Sequence, residues 1–146
     1  MKRAVAAFAV VAAVAVTGAS SAPAATSGHL TGGGTATISQ VAFNVSLDGS
    51  GGAAGSFECL MAGRSKSALF TFGLAHIMQV HITPTAGAIS GSTVMFSGPG
   101  MLIMDNGQHQ AIGAVSVWAD VATQTFQLEM GGMPPETFVS GGISLR

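Results

Sequence analysis

The chain has 146 residues, of which 48% are hydrophobic and only 8% charged, with 21 glycines and one cysteine. Five basic against six acidic residues leave no basic patch that could neutralise phosphates, which argues against nucleic-acid binding. So few charges among so many apolar residues argue for a folded chain, and the length suits one domain with one core.

Lys2 and Arg3 precede an unbroken apolar run from Ala4 to Val16, then small polar residues from Thr17 to Ser21, then Ala22-Pro23-Ala24. Charge, apolar stretch and small-residue site come in the order of a secretory signal peptide, with cleavage expected at Ala24 or, one position on, at Ala25. The run is too short for a membrane anchor, because a bilayer core takes roughly 20 residues. Cys59 lies too far from the cleavage site to carry a lipid. The expected layout is a signal peptide over 1–25 and a single secreted domain over 26–146, free of the membrane. Lys2 and Arg3 leave with the leader, so Arg64, Lys66 and Arg146 face six acidic residues in the mature chain. A lone cysteine allows no internal disulfide, so stability must come from the core.

Along that domain the dominant period is two. Val41, Phe43, Val45 and Leu47 alternate with Ala42, Asn44, Ser46 and Asp48, which predicts a half-buried strand. Asp48-Gly49-Ser50-Gly51-Gly52 is expected to be a flexible loop. Phe57, Cys59 and Met61 share one face of the next strand, with Glu58 opposite. Leu69 to Ile82 is too long for one strand at about 3.3 Å per residue, so Gly73 is expected to bend or break it. Met78, Val80 and Ile82 share a face, and Pro84 to Gly87 are expected to close that strand.

Val94 and Phe96 mark another strand, and Ser97-Gly98-Pro99-Gly100 predicts a tight turn or bulge. Asp105-Asn106-Gly107 predicts a hairpin with a type I′ turn. Val115, Val117 and Ala119 alternate with Ser116, Trp118 and Asp120; Phe126, Leu128 and Met130 alternate with Gln127 and Glu129. Gly131 to Pro135 form a loop, and after Phe138 a last strand runs from near Gly142 to Arg146. No segment sustains a helical period. About 8–10 short strands joined by short loops predict an all-β fold, a single antiparallel β-barrel, with a two-sheet β-sandwich as the alternative.

Several glycine-based segments carry a resemblance. The domain opens on His29-Leu30-Thr31-Gly32-Gly33-Gly34 and ends on Gly141-Gly142-Ile143-Ser144-Leu145. Between them stand Gly55-Ser56-Phe57-Glu58-Cys59, Met95-Phe96-Ser97-Gly98-Pro99-Gly100 and Val115-Ser116-Val117-Trp118-Ala119-Asp120. In these features the chain resembles small exported bacterial β domains of unassigned function, with a V-T-G-G-G-like start and a G-G-x-I-x-L-like end. Leu30 replaces the usual Val. The resemblance implies export and an all-β domain, and it carries no catalytic residue.

Candidate chemistry is sparse. His76 and His81 are five apart and point to opposite faces of a regular strand. His76 shares parity with Met78 and Val80 and is expected inside, while His81 is expected to be solvated. No C-x-x-C or H-x-x-x-H spacing offers a zinc site. Met101 with Met104, and Met130 with Met133, form M-x-x-M pairs of thioethers that suit Cu(I), although positions three apart on a strand face opposite ways. Cys59 shares its face with Phe57 and Met61, which predicts a buried, inert thiol. There is no G-x-S-x-G elbow and no P-loop. Glu58, Asp120 and Glu129 would form a carboxylate pair only at the mouth of a barrel; otherwise they are solvated, with Asp120 capping a turn. Trp118 is either an exposed contact or a packed outer residue.

The candidate ligand-binding residues are therefore Glu58, His76, Trp118 and Asp120, with no catalytic residue, no metal and no cofactor expected. The predicted protein is an exported, non-catalytic β domain with a binding or structural role, its partner an unidentified surface or small molecule. A small barrel enzyme (isomerase, cyclase or hydrolase) and a Met/His copper-binding protein are the alternatives.

Overall fold

The computed structural model describes residues 26–61 and 78–146. The signal-like segment with Ala24 and Ala25, and the stretch holding Arg64, Lys66, Gly73 and His76, lie outside the described residues. Among the described residues there are nine strands and no helix: β1 (Gly28–Ala36), β2 (Gln40–Leu47), β3 (Ala53–Met61), β4 (Met78–Ile82), β5 (Ala86–Ser90), β6 (Thr93–Met104), β7 (His109–Asp120), β8 (Thr125–Glu129) and β9 (Glu136–Leu145). They form one antiparallel sheet in the order β4-β3-β2-β1-β9-β8-β7-β6-β5. Because β4 also pairs with β6, eight strands close in a ring, and β5 continues β4 along the same edge of β6.

The inward faces are the ones the alternation predicts. Val41, Phe43, Val45 and Leu47 of β2, Phe57, Cys59 and Met61 of β3, Met78, Val80 and Ile82 of β4, and Val115, Val117 and Ala119 of β7 are all buried. Phe43 meets Phe57 at 4.9 Å and Phe126 at 5.6 Å between ring centroids, and Phe57 meets Phe96 at 5.8 Å, each edge to face. Edge-to-face pairs of this kind contribute about 0.5–1.5 kcal/mol each beyond the apolar area they bury.

Strands β1 and β9 close the ring from opposite ends of the chain. Leu30 pairs with Leu145, Gly32 with Ile143, Gly33 with Gly142 and Gly34 with Gly141. The glycine-rich opening and closing segments are thus the two sides of one seam. Its backbones lie too close for side chains: a Cβ on Gly34 (φ 148°) would run into the Ser140 carbonyl, and one on Gly141 (φ 81°) into the Gly33 carbonyl.

Five local expectations are refined or changed. The strand before Pro84 ends at Ile82, in line with the expectation, but pairing to β6 carries on, since Thr83 and Thr85 donate to the Pro99 and Ser97 carbonyls at 3.1 and 2.9 Å and β5 continues along β6. Pro84 falls between these two donors, so its missing N–H removes no bond to β6. Of the two readings for Ser97 to Gly100, the turn is absent, since β6 runs through them, and the bulge is met by the register shift between Gly100 and Met101. The Asp105–Gly107 hairpin is present, but only Gly107 has positive φ (78°). Met104 bonds both Gly107 and Gln108, which makes a three-residue loop ending in a glycine bulge in place of a type I′ turn. The loop after Asp48 is tied down: the Asp48 carboxylate accepts from Ser50 N at 2.7 Å and Gly52 N at 2.9 Å, and Gly87 N donates to Gly51 O at 3.0 Å. The last strand also starts earlier than predicted, at Glu136, and includes Phe138.

The seam yields a direct test. Gly34→Ala is expected to lower the unfolding free energy in urea by about 2 kcal/mol or more, through backbone strain and the carbonyl clash. Gly91→Asn, in a turn where an added Cβ meets nothing within 4 Å, is expected to change it by less than about 0.5 kcal/mol.

Candidate functional site

The interior of the ring contains one polar cluster, which sequence patterning does not single out. Glu136, only 2% exposed, reaches back to the β1–β2 turn. Its Oε2 accepts from Ile38 N and Ser39 N, both at 2.8 Å, and Ser39 Oγ donates to Oε1 at 2.9 Å. The signal for it was available, since Glu136 has the parity of Phe138, but a carboxylate on an apolar face after two prolines reads as loop. Cys59 is buried and free beside this cluster. Burial pushes its thiol up to about 12; the Glu136 carboxylate adds to the rise and a hydrogen bond with Ser39 opposes it. Such a thiol is not a nucleophile at neutral pH. The carboxylate has its acceptors filled by the turn it pins, so the cluster ties β9 to the β1–β2 turn.

The predicted site residues are placed apart. His76 lies outside the described residues. Glu58 stands on the outer side of β3, whereas Trp118 and Asp120 stand on the outer side of β7, with β4 and β6 in between. Asp120 caps the β7–β8 turn, accepting from Ala122 N at 2.9 Å and Thr123 N at 3.4 Å. A hydrogen bond from the Ser92 side chain and these backbone donors hold its carboxyl below the usual carboxylate value. Glu129 is exposed at the end of β8 and pairs in register with Ser116.

Two outer-face rows remain as places where a ligand could meet the protein. The first crosses four strands in register: Ala88 of β5, Met95 of β6, Trp118 of β7 and Gln127 of β8. Met95 is 50% exposed, Trp118 is half-buried, and a shallow depression of about 270 Å³ lies alongside, between Ala86, Ala88, Met95, Ser97 and Ser116. The second crosses β3, β4 and β6 and holds Glu58, His81 and Met101. His81 Nδ1 is 3.5 Å from Glu58 Oε1, and a depression of about 220 Å³ bounded by Gln40, Glu58, Leu60 and Gln79 adjoins the pair. His81 is 37% exposed, in keeping with the expected solvated position, and has the Glu58 carboxylate beside it. The register of β3 on β4 is what no local pattern reveals.

Among the described residues no three His, Cys, Asp or Glu side chains gather around a common point. Met101 and Met104 do not act as a pair: Met101 lies in the outer row opposite His81, while Met104 lies opposite the buried Met78. Met133 is buried and Met130 packs against the core.

Two outcomes check the interior. Glu136→Ala leaves the Ile38 and Ser39 donors buried without an acceptor and is expected to cost about 3 kcal/mol in urea unfolding. With its thiol near 12, Cys59 is expected to resist a thiol-specific disulfide reagent at pH 8 in the native protein and to react with one equivalent in urea.

Comparison of the chain with protein-family models, with characterised proteins and with solved structures finds no match.

Proposed function

We propose that the chain is exported and acts as a non-catalytic β domain that contacts its partner through its outer surface. The observation that carries this reading is the apolar packing of the interior among the described residues. Phe43, Phe57, Phe96 and Phe126 pack against one another where a ligand-binding barrel would keep a cavity. The interior carboxylate, Glu136, is committed to the β1–β2 turn. Recognition then falls to the outer face, where the Met95–Trp118 row sets an aromatic and a thioether side by side. Unbroken pairing around the ring favours a closed barrel over a two-sheet sandwich. Export rests on the order of Lys2-Arg3, the apolar run and Ala22-Pro23-Ala24, together with the resemblance to small exported β domains.

Export and contact are tested separately. When the full chain is expressed in a bacterial host, the expected product outside the cytoplasm begins near residue 25 or 26 by N-terminal sequencing. Full-length chain kept in the cytoplasm would overturn export. For contact, the labelled protein is mixed with intact cells of the producing organism. Wild type is expected to be retained, and a Met95→Ala/Trp118→Ala variant of near-native stability to be retained at least about fivefold less. Equal retention of the two would refute the outer-row contact.

A further inference from the structure

We propose that Glu58, His81 and Met101 form a surface site for a single soft metal ion, with Cu(I) its preferred occupant. The three residues sit on adjacent strands in one register row: Glu58 of β3 opposite His81 of β4, and His81 opposite Met101 of β6. All three have outward parity, because Phe57, Cys59, Val80, Ile82 and Leu102 on either side of them are buried. Directly opposed residues on one face of an antiparallel pair have Cβ atoms about 4.5–5.5 Å apart. The row therefore holds a carboxylate, an imidazole and a thioether within about 10 Å of sheet, with the imidazole in the middle.

The spacing of the first two donors is compatible with shared ligation as well as with an ion pair. His81 Nδ1 and Glu58 Oε1 are 3.5 Å apart, beyond the 2.7–3.2 Å usual for an N–H···O bond. Nitrogen and oxygen donors bound at about 2.1 Å to one tetrahedral ion stand about 3.4 Å from each other. Both side chains keep access to solvent, at 37% and 51% exposure, so an ion can enter without opening the fold. Beside the third donor the register shifts: Gly100 pairs with Gly113 and Met101 with Ala111, which leaves Ile112 of β7 as the extra residue of a bulge.

Two of the three donors select the metal, and the Glu58 carboxylate, a hard oxygen donor, is the weakest of the set for Cu(I). A thioether is a poor ligand for Mg²⁺ or Ca²⁺ and suits Cu(I), while imidazole suits copper in either oxidation state. His29 provides an internal control, since it stands on β1, two strands from β3, with its Nε2 hydrogen-bonded to Asn44 Oδ1 at 2.9 Å.

The test is a Cu(I) titration of the purified chain under reducing conditions, in competition with a chromophoric Cu(I) chelator. One equivalent bound below micromolar Kd is expected. His81→Ala and Met101→Ala are each expected to weaken binding by at least about tenfold, Glu58→Ala by several-fold, and His29→Ala not at all. Thermal unfolding of each variant shows that its fold is intact. A second readout uses Ag(I) as a redox-inert probe, which is expected to shift the Met101 methyl and His81 ring resonances together. Failure to bind Cu(I) at micromolar metal overturns the proposal, as does full affinity in Met101→Ala or Zn²⁺ binding as tightly as Cu(I).

Discussion

Strands β1 and β9 are separated by nearly the whole described chain, yet their pairing makes a ring out of what would otherwise be an open sheet. Open edges present rows of unpaired N–H and C=O groups and invite association with other chains. Closure covers those edges and encloses the aromatic cluster of Phe43, Phe57, Phe96 and Phe126. The constraint falls on the seam itself. Gly32, Gly34 and Gly141 take φ of 142°, 148° and 81°, and an added Cβ at each would collide with a carbonyl across the seam. Glycine is destabilising in an ordinary strand; here it is the residue that lets two backbones approach.

Closure also sorts the polar chemistry. Inside, the single carboxylate is consumed by the Ile38 and Ser39 donors, and the thiol next to it is silenced by burial. Outside, side chains from strands far apart in sequence are set in rows, because the pairing register decides which outward residues meet. The Met95–Trp118 row and the Glu58–His81–Met101 row are both products of register, and β6 contributes to each. One long strand, β6, thus runs through both rows.

The parity of the strong strands was legible in the sequence. Val41, Phe43, Val45 and Leu47, and likewise Val115, Val117 and Ala119, turn inward as their alternation requires. Two strands carried no such signal: β1 is built on Gly32-Gly33-Gly34, and β5 reads Ala-Gly-Ala-Ile-Ser, so neither has enough large apolar residues to show a period. Ser97-Gly98-Pro99-Gly100 read as a turn or a bulge because its residues favour turns, and only the bulge is found, at the register shift after Gly100. It stays in β6 because Gly98 and Gly100 have no side chain to collide with Thr83 and Ile112. The site was less legible than the fold. Asp120 behaves as the turn cap its position suggested, but the pairing of Glu58 with His81 depends on how β3 meets β4, and sequence-local patterns hold no information on that. His76 lies outside the described residues.

The seam also brings distant parts of the chain side by side. The backbones of His29 and Arg146 exchange hydrogen bonds in both directions, at 2.8 and 3.1 Å. A few added residues could join these positions without disturbing the sheet, and the hairpin at Gly107, where an added Cβ meets nothing within 4 Å, could take the new break. The order of strands around the ring therefore matters more to this fold than where the polypeptide is cut. Anything fused near residue 29 would also emerge beside anything fused at residue 146.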